Sequence, residues 1–166
     1  MDRLHAYWRY EYIEAPKTQT RTLFEDIAKS ENDEESYVVY RTQLSYLVLN
    51  AFPYNVGHLL AIPNRAIRNL SDLTNEERSD LMNLVAFAEN LLNKALKPDG
   101  LNVGINLGAA AGAGVPQHLH IHIVPRWSGD TNFMPVIGKT RVLPIALHDM
   151  WKRLTQFVSP DQRGTI

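Results

Sequence analysis

Three of the six histidines in this chain, His118, His120 and His122, occupy alternate positions in the run 117–125. Successive side chains of a β-strand point to opposite faces, so this spacing predicts a strand with all three imidazoles on one exposed face. The intervening apolar residues are then expected on the buried face: Leu119, Ile121 and Ile123. Three titratable groups on one strand face indicate chemistry rather than packing.

The residues alone leave three interpretations of this cluster open. Imidazole is a common zinc ligand, but neighbouring histidines of the triplet lie about 6.6 Å apart along a strand, whereas zinc–nitrogen bonds are about 2.0–2.1 Å long. A shared ion would need further ligands, and the chain has no cysteine. A neutral imidazole is also a good nucleophile near pH 7 and forms covalent intermediates. We favour a nucleophile with two supporting imidazoles, with a metal site and plain packing as the alternatives.

A segment of glycine and alanine, residues 108–114, lies just before the histidine run. Small residues allow backbone N–H groups to approach phosphate oxygens and form an anion-binding nest. The segment is not a P-loop, because it lacks Gly-Lys-Ser/Thr. Alone it is equally consistent with a flexible connection, but beside the histidines it favours an anionic substrate.

The composition of the whole chain argues against several classes of protein. The chain has 166 residues and a formal net charge of −1, which gives no electrostatic basis for binding nucleic acid or an anionic membrane. The lack of cysteine excludes disulfides and thiolate metal sites. No stretch approaches the roughly 18 apolar residues of a membrane span, and the first residues lack a signal-peptide pattern. We therefore expect a cytoplasmic protein without nucleic-acid or membrane partners.

Apolar periodicity and turn residues predict the elements that must position these groups. A capping-box match from Thr74 to Glu77 begins the clearest helix, which Pro98-Asp99-Gly100 ends. Strands are expected over 37–41, 44–50, 58–62, 101–107 and 117–124, and further helices over 22–29 and about 144–157.

Strands joined by turns, with the helices segregated, predict an α+β domain on an antiparallel sheet of about five strands. One long helix and one C-terminal helix complete it. Residues 1–21 mix aromatic and charged side chains and are interpreted as an N-terminal arm that packs on the domain or on a partner subunit. Residues 22–166 are expected to form one domain.

The histidine run resembles the His-φ-His-φ-His-φ-φ signature of the histidine triad superfamily, in which φ is an apolar residue. The stretch from Leu49 to Pro63 is similar to the Asn…Pro…Gly-His strand pair of that superfamily. Residues 106–114 and 125–134, together with the opening residues 1–13, resemble the branch that contains bacterial diadenosine tetraphosphate phosphorylases and fragile-histidine-triad-like hydrolases. The triad signature is far more specific for the superfamily than for a substrate.

This resemblance implies an antiparallel sheet that is usually continued across a homodimer, or a higher homo-oligomer. It also implies nucleotidyl transfer at the α-phosphate of a dinucleoside polyphosphate, such as diadenosine tetraphosphate or triphosphate. The transfer would pass through a covalent nucleotidyl-histidine and end in phosphorolysis or hydrolysis. A nucleoside phosphoramidate hydrolase and a non-catalytic nucleotide-binding module of the same fold are the alternatives.

The resemblance also implies roles for individual residues. His120 would be the nucleophile, while His118 and His122 would bind phosphate oxygens and orient it. His58 would support the triad from behind, and Asn50 would bind the ribose hydroxyls. The phosphates would be held by Asn106 and by the backbone around Gly112 and Gly114.

One departure from the superfamily concerns zinc. Many members carry Cys-x-x-Cys near the N-terminus and a further histidine after the third strand, which bind structural zinc together with a triad histidine. Here Thr22 to Glu25 and Ala66 stand in those places. We therefore expect no structural zinc, and we expect Leu23 and Phe24 to anchor the arm by burial instead. A divalent cation such as magnesium accompanying the substrate remains open.

Overall fold

The structure, a computed structural model, describes residues 23–130 and 144–158. The expected arm over 1–21 lies outside these residues and stays a prediction. In the described ranges, no helix combines the length and apolar character needed to cross a membrane.

Five strands and three α-helices make up the regular structure of the described residues. The strands are β1 (Val38–Arg41), β2 (Ser45–Leu49), β3 (Leu59–Pro63), β4 (Gly100–Ile105) and β5 (Ile121–Arg126). The helices are α1 (Leu23–Lys29), α2 (Asn75–Leu96) and α3 (Leu147–Thr155), with short 3₁₀ turns at Leu70–Asp72 and Ala109–Ala111. All strand pairings are antiparallel, in the order β1-β2-β3-β5-β4. The predicted α+β fold class is confirmed.

The two faces of the sheet are covered unequally. Residues of α2 and α3 pack on the face that carries the larger core. The opposite face carries a smaller cluster, in which Phe24 of α1 packs with residues such as Leu60. His122 lies opposite Leu60 in the β3–β5 register, so the two side chains share a face. The last histidine of the triplet therefore lies on the face covered by α1.

Helix α2 begins as the capping box predicts. The Thr74 side chain accepts a hydrogen bond from the Glu77 backbone N–H at 3.2 Å, and the Glu77 carboxylate accepts one from the Thr74 backbone N–H at 2.8 Å. These bonds satisfy two backbone donors that a helix start otherwise leaves without partners. The helix ends at Leu96, before Lys97 in the left-handed region at φ 50°.

The fifth strand begins later than predicted, at Ile121 rather than at residue 117. The residues before it make loop contacts instead of ladder bonds: the Leu119 N–H donates to the Ile67 carbonyl at 2.6 Å. His118 and His120 therefore precede the strand, and both are buried. The expectation of three imidazoles on one exposed strand face was wrong, whereas the predicted burial of the intervening apolar residues is confirmed.

A glycine turn delivers His58 to the start of β3. Gly57 has φ +72°, and a Cβ atom there would lie 2.5 Å from the Leu96 side chain of α2. Both the backbone conformation and this close approach favour glycine. The turn therefore fixes where His58 enters the sheet.

Candidate active site

His120 is held in one tautomer by a backbone carbonyl. Its Nδ1 lies 2.9 Å from the His118 carbonyl oxygen, which can only accept a hydrogen bond. Nδ1 therefore carries the ring proton, and Nε2 keeps its lone pair. The residue is 5% exposed, and this burial lowers the pKa of His120 below its usual value, so the ring stays neutral near pH 7. A neutral imidazole with an available Nε2 lone pair has the form that a nucleophile requires.

His118 orients His120 through its backbone, while its own ring is engaged elsewhere. The His118 Nε2 donates to the Pro63 carbonyl at 2.8 Å, at the end of β3. Burial lowers the pKa of this imidazole, although the Pro63 carbonyl and Glu25 act in the opposite direction. This placement favours the orienting part of the role expected for His118 and lends no support to phosphate binding by its ring.

His58 and His122 have the opposite tautomer, because a backbone N–H rather than a carbonyl contacts the first of the two rings. The Tyr54 N–H donates to His58 Nδ1 at 3.0 Å, so Nδ1 is an acceptor and His58 Nε2 carries the proton of the neutral ring. His58 Nε2 then donates to His122 Nδ1 at 3.0 Å. His122 Nδ1 is in turn an acceptor, and the proton of the neutral His122 ring resides on Nε2.

The two histidine pairs meet within one site. The ring centroids of His120 and His122 are 5.0 Å apart. One ring offers a lone pair on Nε2 and its neighbour an N–H on Nε2. This combination can attack an electrophilic centre and, at the same time, donate a hydrogen bond to an oxygen on it.

Tyr54 is part of this site and was not predicted from the sequence. Its ring, which is 39% exposed, stacks on that of His122, with centroids 5.5 Å apart and planes 20° apart, and lies 4.7 Å from the His58 ring. The loop between β2 and β3 brings this ring over both imidazoles. Its position four residues before His58 was the available signal, but the stacking depends on a loop conformation that no periodicity encodes.

Asn50 lies at the edge of the same site. Its Oδ1 accepts from the Phe52 N–H at 2.9 Å, and its Nδ2 lies 3.3 Å from His58 Nδ1. The structure therefore brings Asn50 to the histidines. Asn106 follows β4 and is half-buried, but it makes no hydrogen bond to the four histidines within the described ranges.

The glycine-rich segment uses several of its backbone donors internally. The Gly112 N–H donates to the Ala109 carbonyl at 2.9 Å, and the N–H groups of Ala111 and Ala113 donate to the Gly108 carbonyl. Gly112 has φ +88°, a conformation that favours glycine. The N–H of Gly112 is thus occupied within the turn, while Gly114, two residues further along the chain, is half-buried.

Comparisons with known proteins agree with this geometry. A sequence model of the HIT domain matches residues 31–129. The AP-4-A phosphorylase of Mycobacterium tuberculosis is 47% identical over 118 residues, which are 71% of this chain and 60% of that protein. The asymmetrical bis(5'-nucleosyl)-tetraphosphatase of Schizosaccharomyces pombe is 42% identical over 95 residues, which are 57% of this chain and 52% of that protein. The chain thus matches 60% or less of the length of these curated relatives.

A solved structure shares the fold. The zinc-bound histidine triad family protein of Mycobacterium smegmatis has a TM-score of 0.66 to this chain and 26% identity, covering 81% of this chain and 90% of that one.

The residues of this chain do not fit the zinc site that many superfamily members carry. The chain has no cysteine, Ala66 has no ligand atom, and the His118 Nε2 already donates to the Pro63 carbonyl. Among the described residues, no three histidine or acidic side chains are arranged so that they could hold a metal ion. Of the two apolar residues expected to be buried here, Phe24 is buried, but Leu23 is 44% exposed, so that part of the expectation was wrong.

Proposed function

This chain belongs to the HIT domain family, and we propose that it is an enzyme that transfers a nucleotidyl group from the α-phosphate of a dinucleoside polyphosphate through a covalent intermediate on His120. The observation that carries the proposal is the meeting of opposite tautomers: an Nε2 lone pair on His120 beside an Nε2 proton on His122. The names of the curated relatives support the substrate class.

The first step forms a bond between His120 Nε2 and the α-phosphorus. The bond from this phosphorus to the bridging oxygen breaks, and the leaving polyphosphate takes its electron pair. His120 keeps its Nδ1 proton and becomes cationic, which strengthens the hydrogen bond to the His118 carbonyl. The His122 Nε2–H donates to an oxygen of the transferring group, where negative charge develops.

The second step returns His120 to its starting form. An acceptor oxygen attacks the same phosphorus, the bond to Nε2 breaks, and the electron pair returns to the imidazole. Inorganic phosphate as acceptor converts diadenosine tetraphosphate to ADP and ATP, whereas water gives AMP and ATP. We propose phosphate, because the phosphorylase relative is 47% identical and residues 125–134 resemble the phosphorylase-like branch.

Incubation of diadenosine tetraphosphate with the protein, with and without inorganic phosphate, tests this choice. Phosphorolysis predicts ADP that appears only when phosphate is present. AMP in phosphate-free buffer would instead indicate hydrolysis. His120→Asn serves as the matched control for background cleavage, and no product from the wild-type protein under either condition would contradict an enzyme of this class.

We also propose that the active form is a homodimer joined through β4. This strand lies at the edge of the sheet, and Val103 on it is 49% exposed. An edge strand has backbone donors and acceptors that a second copy can pair with. Light scattering of the wild-type protein and of Val103→Arg tests the proposal: a dimer for the first and a monomer for the second are expected, and a wild-type monomer would refute it.

A further inference from the structure

One aromatic ring contacts two of the triad histidines. The Phe24 ring centroid lies 5.5 Å from that of His118, with the planes 82° apart, and 5.4 Å from that of His120, with the planes 63° apart. Both arrangements are edge-to-face, which aromatic rings favour at such distances. Phe24 is 7% exposed, so the ring is enclosed between α1 and the histidines.

The helix that carries this ring is held by side chains of the sheet. The buried Tyr46 hydroxyl donates to the Phe24 carbonyl at 2.7 Å. The Arg41 guanidinium donates to the carbonyls of Ile27, Ala28 and Ser30 at 2.9–3.0 Å, and to Asp33 at 2.8 Å. A helix of seven residues is too short to be stable alone, so these bonds fix where α1 lies.

The His120 imidazole needs more than one restraint. The hydrogen bond from Nδ1 to the His118 carbonyl fixes one atom of the ring but still permits the ring to swing about that bond. The Phe24 ring lies against the same imidazole, with centroids 5.4 Å apart, and limits this movement. The Phe24 ring also contacts His118, whose carbonyl accepts the hydrogen bond from His120 Nδ1.

We propose that Phe24 is a positioning residue, which wedges against His118 and His120 and holds the His120 ring with its Nε2 in line for nucleotidyl transfer. This inference rests on the proposed function of His120. The hydrogen bonds of Arg41 and Tyr46 hold the apolar Phe24 side chain in place from the sheet.

The test compares Phe24→Ala and Phe24→Leu with Leu23→Ala. Leu23 is the matched control, because it is the exposed neighbour on the same helix. Phe24→Ala is expected to lower kcat by about 100-fold with little change in KM, since a misplacement of about 1 Å can have that effect. Phe24→Leu keeps apolar volume but not the flat ring edge, and it is expected to lower kcat by about 10-fold. Leu23→Ala should retain the wild-type kcat.

A spectroscopic measurement separates this inference from the proposed function. Nitrogen-15 NMR of the free protein at pH 8 reports which His120 nitrogen carries the proton. We expect a single Nδ1–H form in the wild type and in Leu23→Ala, and a mixture of both tautomers in the two Phe24 variants. If the wild type turns over no dinucleotide, this measurement still decides the role of Phe24.

The proposal would be overturned if folded Phe24→Leu kept both the wild-type kcat and a single His120 tautomer. Phe24→Leu carries this decision even if Phe24→Ala fails to fold, because leucine retains most of the buried apolar volume. Thermal unfolding of each variant confirms that the comparison is made on folded protein.

Discussion

The two histidine pairs of this site consist of the same side chain, but opposite backbone groups hold them. In the pair of His118 and His120, a carbonyl accepts from Nδ1 of His120 and leaves a lone pair on Nε2. In the pair of His58 and His122, a backbone N–H donates to the first ring, and the second ring is left with a proton on Nε2. The comparison teaches that the neighbouring peptide group, and not the residue type, decides which imidazole keeps a lone pair on Nε2 and which keeps a proton there.

The pairs also differ in their place in the fold. His122 is part of β5, and the β3–β5 register fixes its position. His118 and His120 precede the strand, in a loop that Phe24 covers from α1. The sheet thus positions His122, whereas a loop and a short helix position His120.

The largest expected effect comes from removing the attacking ring. His120→Asn should reduce turnover of diadenosine tetraphosphate by about 10,000-fold or more, because a covalent nucleophile has no substitute among the remaining groups. Product formation by chromatography measures the effect, and thermal unfolding verifies the fold. A variant with near-normal turnover would assign the attack to another residue and would remove the distinction between the two pairs.

A smaller effect is expected when the N–H relay is broken, by which we mean the two hydrogen bonds that run from the Tyr54 N–H to His58 and from His58 to His122. His58→Leu leaves the Tyr54 N–H and His122 Nδ1 without their ring partner, so the proton on His122 Nε2 is no longer fixed. A loss in kcat of about 100-fold is expected, in the range typical of losing one hydrogen-bond donor to a developing negative charge. His58→Gln, which offers one acceptor and one donor, should retain more activity.

The matched control for the relay is His148→Gln. This histidine lies on α3, half exposed beside Glu34. It should retain the wild-type kcat. An equal loss in His58→Leu and His58→Gln would show that the relay polarity does not matter.

Lowering the pH should reduce activity through protonation of His120. Burial lowers the pKa of its folded-state imidazole below the usual value of about 6.5. Only the neutral ring attacks, so the acid limb of kcat/KM governed by His120 should lie below pH 6.5. An acid limb that His120 governs above pH 6.5 would contradict the buried, neutral ring.

The same shift predicts how stability depends on pH. As pH falls through about 6.5, the unfolded chain binds protons before the folded His120 does, so the free energy of unfolding decreases. His120→Asn removes this contribution. Urea unfolding between pH 7.5 and 5.5 should therefore show a larger loss of stability in the wild type than in the variant.

The smallest expected effect lies outside both pairs. Thr74→Ala removes the side-chain acceptor of the α2 capping box and should lower the free energy of unfolding by about 1 kcal/mol. Because Thr74 touches neither pair, kcat should not change. A change in kcat would show that α2 contributes to holding the histidines, and would weaken the view that local peptide groups control them.

Much of the fold was predictable because it depends on local patterns. Apolar runs bounded by turn residues predicted the five strands to within a few residues, and Thr74 with Glu77 marked the start of α2. The gathering of His58, His120 and His122 followed from the family resemblance. These features depend on residue spacing, which the sequence states directly.

The arrangement of the individual rings was not predictable. The start of β5 depends on the Ile67 carbonyl, which accepts a hydrogen bond from the Leu119 N–H. These two residues lie far apart in the sequence. The contact of Phe24 with two histidines likewise depends on how Arg41 holds α1. Such long-range bonds leave no periodic signal in the chain.

The most direct test of the central claim is to trap the intermediate on the attacking ring. Wild-type protein is mixed with diadenosine tetraphosphate, quenched in alkali after milliseconds, and digested for tandem mass spectrometry of the peptide that contains residues 118–122. Our account predicts one nucleotidyl group on His120 and none in His120→Asn. Product formation without any adduct, or an adduct on His118 or His122, would contradict it.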